Sequence, residues 1–280
     1  MSGFKKPRSI RKQPLAVLLA ERGLFDTEDE ARRWIMSGKV LVNGQRIDKP
    51  GMLVPGDAVL DVHDRRRYAS RGGYKLEAAL AHFHITATGH TALDSGASTG
   101  GFTDCLLQHG AVLVYAVEVG YGQLVGRLRA DPRVRNLERT NLSDLAPAAL
   151  NPLPTLIALD LSYLSLTKAL PIAAHLLEPE GEVLALLKPL FEVDSATARR
   201  TGRIDDSTLL IVALRQVLRA GADAGLVALG AAKLALRPRH GVFEFFVYFA
   251  RGTNCTPWNY NDTMLAEIIA GPGIGSAKED

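Results

Sequence analysis

The sequence predicts an α/β protein in which a small α+β domain precedes an open, mostly parallel sheet of seven strands with an antiparallel last strand. From residue 91 onward, short apolar runs alternate with stretches of helical periodicity, which is typical of a parallel sheet covered by helices on both faces. The last two apolar runs are joined by a short turn at 237–241, which favours antiparallel pairing there. Residues 13–63 instead show two short helical segments and a hairpin, so we expect a separate domain.

Length and composition are those of an ordinary soluble globular protein. Of the 280 residues, 47% are apolar and 22% are charged, and no apolar run approaches the roughly 20 residues that span a bilayer. The first residues lack the apolar core of a secretion signal. Cys105 and Cys255 form no CxxC motif, so they indicate neither a disulfide framework nor a thiolate zinc site. We therefore expect a cytoplasmic protein that contacts no membrane.

The charge of the chain is distributed unevenly. Residues 1–75 contain 16 Lys and Arg against 9 Asp and Glu, whereas the remainder contains 17 against 21. A basic N-terminal portion on a near-neutral body indicates a polyanionic partner contacted mainly from one end. The alternative is an ordinary solvated surface.

The N-terminal segment shows clear start and stop signals. We expect a basic tail at 1–12, a short helix that ends at Gly23, and a second helix whose capping box pairs Thr27 with Glu30. The run 39–47 contains Asn-Gly at its centre, the strongest short signal for a hairpin.

The Gly-Lys-Val-Leu-Val-Asn-Gly hairpin at 38–44 resembles that of the S4-like RNA-binding domain. The helices depart from that family, which usually has an Arg and an Asp near the start of the first helix and a Ser-Arg pair at the start of the second, where this sequence has Lys12-Gln13-Pro14-Leu15 and Asp26-Thr27-Glu28. A purely structural appendage is the alternative. If the resemblance holds, the residues expected to contact RNA are Arg32, Arg33, Lys39, Arg46, Lys49, Arg65, Arg66, Arg67 and Arg71.

The second domain is expected at 71–252, after a charged linker at 64–70 and before a C-terminal tail at 253–280. A helix opens at Arg71. We expect strands near 91–95, 112–118, 134–138, 156–161, 182–188, 230–237 and 243–250. We expect further helices near 101–109, 121–130, 164–176 and 206–221.

A glycine turn at 94–102 follows the first of these strands. Its small residues let the backbone approach a ligand closely, and the helix after it begins with a positive dipole end. Glu118 ends the next strand, at a distance of about 20 residues that suits a ribose diol. The spacing D-x-G-x-x-x-G-G resembles the S-adenosylmethionine (SAM) turn more than the G-x-G-x-x-G of NAD(P) enzymes. NAD(P) binding and a bare structural turn remain as alternatives.

Four charged residues stand at or near strand ends: Lys75, Asp160, Lys188 and Glu244. Glu244 lies among aromatic residues, where a carboxylate is costly to desolvate unless a cation pairs with it; Lys75 or Lys188 could be that cation. Each residue also has an ordinary interpretation: a solvated lysine, a lysine that snorkels at a strand end, a helix cap, or an exposed edge-strand side chain.

The order Lys, Asp, Lys, Glu resembles the tetrad of the FtsJ-type RNA ribose 2′-O-methyltransferases. The match to the TlyA (hemolysin-type) rRNA methyltransferases is closer and extends from about residue 14 to 250. It includes Ser70-Arg71-Gly72-Gly73-Tyr74-Lys75-Leu76, Asp94-Ser95-Gly96-Ala97-Ser98-Thr99-Gly100-Gly101-Phe102-Thr103, Asp160-Leu161-Ser162 and Leu187-Lys188-Pro189. The segment 194–200 departs from the lysine- and glycine-rich loop of that family.

This resemblance implies a Rossmann-like SAM-dependent methyltransferase sheet and a methyl transfer to a ribose 2′-hydroxyl of ribosomal RNA, free or in a ribosomal subunit. It implies that Lys188 accepts the hydroxyl proton while Asp160 and Glu244 hold the two lysines. No metal is expected, because the sulfonium already activates the methyl group. The residues expected to bind the cofactor are Asp94, Gly96, Ala97, Ser98, Gly100, Gly101, Phe102, Glu118 and Asn141. A non-catalytic RNA-binding protein and a membrane-active hemolysin are the alternative functions.

Overall fold

The chain folds into two compact units, Met1–Arg67 and Tyr68–Asp280. The computed structural model describes residues 11–25, 27–63, 67–204, 206–235, 243–252 and 255–275. Most of the basic tail expected at 1–12, part of the linker expected at 64–70, and the turn expected at 237–241 lie outside the described residues.

The first unit combines short helices with two small sheets. Its elements are β1 (Lys12–Pro14), α1 (Leu15–Glu21), α2 (Glu28–Met36), β2 (Val40–Val42), β3 (Gln45–Ile47), β4 (Leu53–Pro55) and β5 (Leu60–Val62). β1 pairs with β4, while β3, β2 and β5 form a three-stranded sheet. Leu15, Leu19, Ile35 and Val40 are fully buried between these elements, which gives the unit a hydrophobic core of its own.

The local signals of this unit act as the sequence predicts. Thr27 accepts a hydrogen bond from the Glu30 amide at 3.1 Å, which caps α2. Asn43 and Gly44 adopt φ of 50° and 80°, the two left-handed positions that a tight hairpin turn requires. The hairpin β2–β3 is therefore confirmed, whereas the pairing of β1 with β4 was not anticipated.

The second unit alternates strands and helices along the chain. Its first half contains α3 (Arg71–Phe83), β6 (Thr91–Ser95), α4 (Gly101–Gln108), β7 (Leu113–Glu118), α5 (Gly126–Arg129) and β8 (Val134–Glu138). After two 3₁₀ turns, Leu142–Asp144 and Pro147–Ala149, come β9 (Leu156–Leu159), α6 (Leu166–Leu176), β10 (Glu182–Leu187), α7 (Pro189–Glu192), α8 (Ala196–Thr201), α9 (Ser207–Asp223), β11 (Val227–Lys233), β12 (Phe245–Ala250) and α10 (Asp262–Ala270).

These strands form one seven-stranded sheet in the order β11-β12-β10-β9-β6-β7-β8. β6 to β10 run parallel to their neighbours, and β12 is antiparallel to both β10 and β11. The predicted fold class, including the antiparallel last strand, is confirmed.

Both faces of the sheet are buried, which explains why its strands are continuous apolar runs. Along β10, Val183, Ala185 and Leu187 pack with residues of α6, α9 and α10. Leu184 and Leu186 face the opposite side, where they join residues of α3 and α4. The core is thus a sheet between two helical layers, and its strand ends are the places left for polar side chains.

Helices α5 and α10 differ from the sequence prediction, and the short helices α7 and α8 were not predicted. The helix expected at 121–130 is only one turn, α5, because Gly122 has a φ of 69° that a right-handed helix does not allow. The segment expected to be a tail contains α10, which Asn261 caps by accepting a hydrogen bond from the Met264 amide at 2.9 Å. Leu265 of α10 is fully buried against the same core as α9.

If α10 is an integral part of the second unit, Leu265→Ala should lower the free energy of unfolding by about 2–5 kcal/mol, the usual cost of a cavity in a packed core. Urea unfolding followed by circular dichroism measures this loss. Thr263→Ala, at an exposed position on the same helix, is the control and should change stability little. Equal stabilities of the two variants would show that α10 does not pack on the core.

Candidate active site

The register of the sheet brings four of the predicted residues to one edge. Ser95 and Ala185 both pair with Leu159, so β6, β9 and β10 end side by side. Leu187 pairs with Phe245 in the antiparallel ladder, and the residues that follow and precede them are Lys188 and Glu244. The carboxyl edge of such a sheet is where open α/β folds bind ligands.

Two ion pairs form at this edge. Lys75 Nζ lies 2.5 Å from Glu244 Oε2, and the two side chains are 18% and 12% exposed. Lys188 Nζ lies 2.6 Å from Asp160 Oδ1, with side chains 18% and 21% exposed. The contact with Asp160 is close in distance but off the hydrogen-bonding angle. Since desolvated charges are stable only with partners, the four residues form two neutral pairs.

Close packing of α3 on α4 positions Lys75. Ser70 caps α3 by accepting a hydrogen bond from the Gly72 amide at 3.2 Å. A Cβ atom at Gly101 would lie 2.2 Å from Ser70 Oγ, so only glycine lets the two helices approach this closely. The Ala69 amide also donates to Asp104 Oδ2 at 2.8 Å, which ties the start of α3 to α4. Gly101 therefore serves helix packing.

Asp94 is a fully buried carboxylate at the end of β6. Its Oδ2 accepts hydrogen bonds from the Thr103 amide at 2.8 Å and from Thr103 Oγ1 at 2.6 Å. Its Oδ1 is buried and has no partner among the described residues. Burial, together with the Asp160 and Glu118 carboxylates and against the Thr103 hydrogen bonds, raises the pKa of Asp94 to about 7. A cation beside Oδ1 would give this oxygen a partner and would also favour the charged form of Asp94.

The glycine turn after Asp94 is held by contacts within the protein. Gly96 has a φ of 90°, and a Cβ atom there would lie 2.2 Å from the Asp160 carbonyl oxygen. The Gly96 and Ala97 amides both donate to the Val117 carbonyl, at 2.9 and 3.1 Å. Beside Gly100, the Leu124 and Leu128 side chains take the space that a Cβ atom would need.

Glu118 closes the turn from the neighbouring strand. Its Oε2 accepts a hydrogen bond from the Ser98 amide at 2.9 Å, and its Oε1 accepts one from the Gly120 amide at 2.8 Å. Each carboxylate oxygen has a further lone pair, so Glu118 can still accept hydrogen bonds from hydroxyl groups of a ligand.

The other predicted cofactor residues lie less directly at this turn. Asn141 Oδ1 accepts hydrogen bonds from the Ser143 amide at 3.1 Å and from Ser143 Oγ at 2.9 Å, so it caps a 3₁₀ turn. Phe102 is 3% exposed and stacks on Phe246 with ring centroids 6.1 Å apart. Their roles towards a cofactor remain predictions.

Most of the predicted RNA-contacting residues lie in the first unit, at several places. Lys39 Nζ stands 5.3 Å from the centroid of the Trp34 ring, and the Arg46 guanidinium lies against Gly38. Arg32 pairs with Glu28 at 3.5 Å on the surface. Arg33 and Lys49 are exposed, as is Arg67 at the boundary. Arg71 is the first residue of α3, while Arg65 and Arg66 lie outside the described residues.

Three further residues near this edge have no role predicted from the sequence: Thr103, Ser162 and Glu192. Thr103 holds Asp94, and Lys188 Nζ donates a hydrogen bond to Ser162 Oγ at 2.9 Å. Glu192 Oε1 accepts one from the Leu166 amide at 2.7 Å, which ties α7 to the start of α6. Burial raises the pKa of Glu192, against hydrogen bonds from the Leu166 and Thr167 amides. The signal for Ser162 in the sequence is its place in the motif Asp160-Leu161-Ser162, two residues after Asp160.

Within the described residues, no group of three or more His, Cys, Asp and Glu side chains is arranged to hold a metal ion. Across the same part of the chain, none of the helices has the length and apolar character needed to cross a membrane.

Comparisons with known proteins identify the family. Residues 68–249 match the FtsJ-like methyltransferase family, and residues 13–60 match the S4 domain. The chain therefore belongs to the FtsJ-like methyltransferases, in the branch that carries an S4 domain and includes the TlyA proteins.

Three relatives show how far this similarity extends. A Mycobacterium tuberculosis protein named 16S/23S rRNA (cytidine-2′-O)-methyltransferase TlyA is 37% identical over 258 residues, 91% of this chain and 96% of that protein. Hemolysin A of Brachyspira hyodysenteriae is 34% identical over 81% of this chain and 95% of its own length. A solved structure named as a hemolysin from Streptococcus thermophilus has a TM-score of 0.68 and 38% identity, and the match covers 94% and 96% of the two chains.

The raised pKa of Asp94 predicts a pH-dependent stability. The folded-state pKa of about 7 lies above the ordinary value of 3.8. The contribution of protonated Asp94 to the stability of the folded protein is therefore fully present below pH 4, and it is lost as the pH rises through 7. Between pH 5 and pH 8 the protein should lose on the order of 3 kcal/mol more stability than Asp94→Asn.

Urea unfolding at pH 5, 6, 7 and 8 measures this difference. Asp144→Asn, at an exposed position, is the matched control and should follow the unsubstituted protein. Parallel pH profiles for the protein and for Asp94→Asn would show that Asp94 does not carry the predicted titration.

Proposed function

We propose that this protein transfers a methyl group from SAM to a ribose 2′-hydroxyl of ribosomal RNA. The observation that carries the proposal is the pairing of Lys188 with Asp160 and of Lys75 with Glu244 at the sheet edge that also holds Asp94. Membership of the FtsJ-like family and the name of the Mycobacterium tuberculosis relative support the same reaction and substrate class.

The charges around the glycine turn favour a cationic cofactor. Asp94, Glu118 and Asp160 lie close enough for the last two to raise the pKa of the first. Such a group of carboxylates repels the pyrophosphate of NAD(P) and attracts the ammonium and sulfonium of SAM. The amides of Gly96 and Ala97 are already committed to the Val117 carbonyl, which leaves them unavailable to a phosphate.

The residues present fit SAM in two respects. The unpartnered Asp94 Oδ1 provides an acceptor for the ammonium group, and Glu118 provides acceptors for the ribose hydroxyls. The remaining predicted residues of the turn would line the same site. When bound, SAM supplies a methyl group that its sulfonium charge already activates.

Lys188 is the proposed proton acceptor. A ribose hydroxyl is a weak acid, so its oxygen becomes a competent nucleophile only as its proton passes to a base. Asp160 holds Lys188 at 2.6 Å, and Lys75 stands at the same edge with its charge balanced by Glu244. In-line placement of the hydroxyl by these groups supplies the rest of the acceleration.

The first unit is proposed to hold the RNA. Its hairpin presents Lys39 beside the Trp34 ring and Arg46 against Gly38, and basic groups with an aromatic face suit phosphates and unstacked bases. The exposed Arg33 and Lys49 add positive charge on the same unit.

Lys188→Ala should reduce methyl transfer by on the order of 10²- to 10⁴-fold, the usual contribution of a positioned acid or base. Transfer of tritium from labelled SAM to ribosomal RNA or ribosomal subunits measures this loss, and calorimetric titration checks that SAM still binds.

Lys168→Ala is the matched control, since Lys168 is an exposed lysine of α6; it should leave the rate unchanged. Full activity in Lys188→Ala would remove Lys188 from the mechanism. Absence of both SAM binding and methyl transfer in the unsubstituted protein would favour a non-catalytic RNA-binding role.

A further inference from the structure

The side-chain hydroxyl of Ser162 lies beside the proposed proton acceptor. Lys188 Nζ donates a hydrogen bond to Ser162 Oγ at 2.9 Å, while Asp160 Oδ1 lies 2.6 Å from the same nitrogen. Asp160 and Ser162 both lie in the short segment after β9, two residues apart. Ser162 is exposed at the sheet edge, so it stands where a substrate would approach Lys188.

The hydrogen-bonding capacity of a lysine amine gives this contact a chemical role. An ammonium group has three N–H donors and no lone pair, so Lys188 can accept a proton only as the neutral amine. That amine has two N–H bonds and one lone pair. Ser162 Oγ accepts one of these N–H bonds, and Asp160 Oδ1 lies beside the amine as its ion-pair partner, so the lone pair is left to face the ribose hydroxyl.

A neutral hydroxyl is well suited to be the second polar neighbour of the Lys188 amine, next to the Asp160 carboxylate. A second carboxylate beside Lys188 would add negative charge and favour the ammonium form over the amine. The hydroxyl accepts an N–H bond without adding charge, so it orients the amine at little electrostatic cost. One carboxylate and one hydroxyl therefore hold the base in place.

Among the described hydrogen bonds, the Ser162 side chain contacts only Lys188 Nζ, so it has no evident role in the fold. Ser165 is the N-cap residue of α6, and the Leu166 amide is satisfied by Glu192 Oε1 at 2.7 Å. The segment that carries Ser162 is also anchored at its other end, where the Asp160 amide donates to the Ser95 carbonyl at 2.9 Å. These contacts keep Ser162 beside Lys188 without help from its own side chain.

We propose that Ser162 is a positioning residue that aims the lone pair of Lys188 at the ribose 2′-hydroxyl; this inference rests on the proposed function. In the step it supports, the O–H bond of the ribose breaks and a new N–H bond forms on Lys188. The ribose oxygen forms a bond to the methyl carbon, and the electron pair of the broken carbon–sulfur bond stays with sulfur. The resulting ammonium keeps Asp160 and Ser162 as neighbours.

Steady-state methyl transfer to ribosomal subunits that lack the modification tests this role. Ser162→Ala should lower kcat roughly 10- to 100-fold, as expected for losing a hydrogen bond that orients the base. The KM for the subunits and the calorimetric Kd for SAM should change by less than about twofold, since Ser162 acts through Lys188. Ser162→Thr keeps the hydroxyl and should restore most of kcat.

Ser165→Ala is the matched control, because its hydroxyl contacts only Thr167 Oγ1 among the described hydrogen bonds, at 2.8 Å; it should retain full kcat. An unchanged kcat in Ser162→Ala with an active unsubstituted protein would overturn the inference about Ser162 and leave the proposed function standing. A loss in Ser162→Ala that Ser162→Thr does not relieve would also overturn it. An unsubstituted protein that binds subunits without methylating them would overturn the proposed function itself, and the inference with it.

Discussion

Two lysines and two carboxylates at the carboxyl edge of the large sheet are each no more than 21% exposed, and charges this desolvated persist only as pairs. This constraint organises the second unit. The antiparallel register of β12 sets Glu244 opposite Lys188, while α3 must lie close against α4 to bring Lys75 within 2.5 Å of Glu244. Removing one member of a pair would leave its partner as an isolated charge in a site that water reaches poorly.

The same edge carries an unbalanced negative charge at Asp94. Its carboxylate is fully buried, one oxygen has no partner within the described part of the chain, and burial together with the nearby Asp160 and Glu118 raises its pKa to about 7. The folded protein therefore maintains a site that costs stability at neutral pH and that a cation would stabilise. An unpaired buried charge of this kind is typical of binding sites, where the ligand supplies the missing partner. The paired lysines and the unpaired carboxylate together describe a site for a cationic methyl donor and a weakly acidic hydroxyl.

Much of this arrangement is predictable from the sequence, because its signals are local or periodic. The Asn43-Gly44 turn, the Thr27 cap and the alternation of strands and helices give the two units and the sheet class. The tetrad comes from resemblance in motif order. Contacts between distant segments are not encoded in any local pattern, which is why α10 was missed although Asn261 offers a helix cap. For the same reason no local pattern predicts that Gly101 also lets α4 approach Ser70, while its contact with the cofactor stays a prediction.

The position of the transferred methyl group shows whether the acceptor is a ribose hydroxyl of ribosomal RNA. Ribosomal subunits that lack the modification would be incubated with the full-length protein and SAM carrying a deuterated methyl group. The RNA would then be digested to nucleosides and analysed by mass spectrometry. With a ribose hydroxyl as acceptor, the label should appear in 2′-O-methylated nucleosides, with the mass increase on the ribose fragment. Label on the base fragment, or no label in RNA at all, would contradict it.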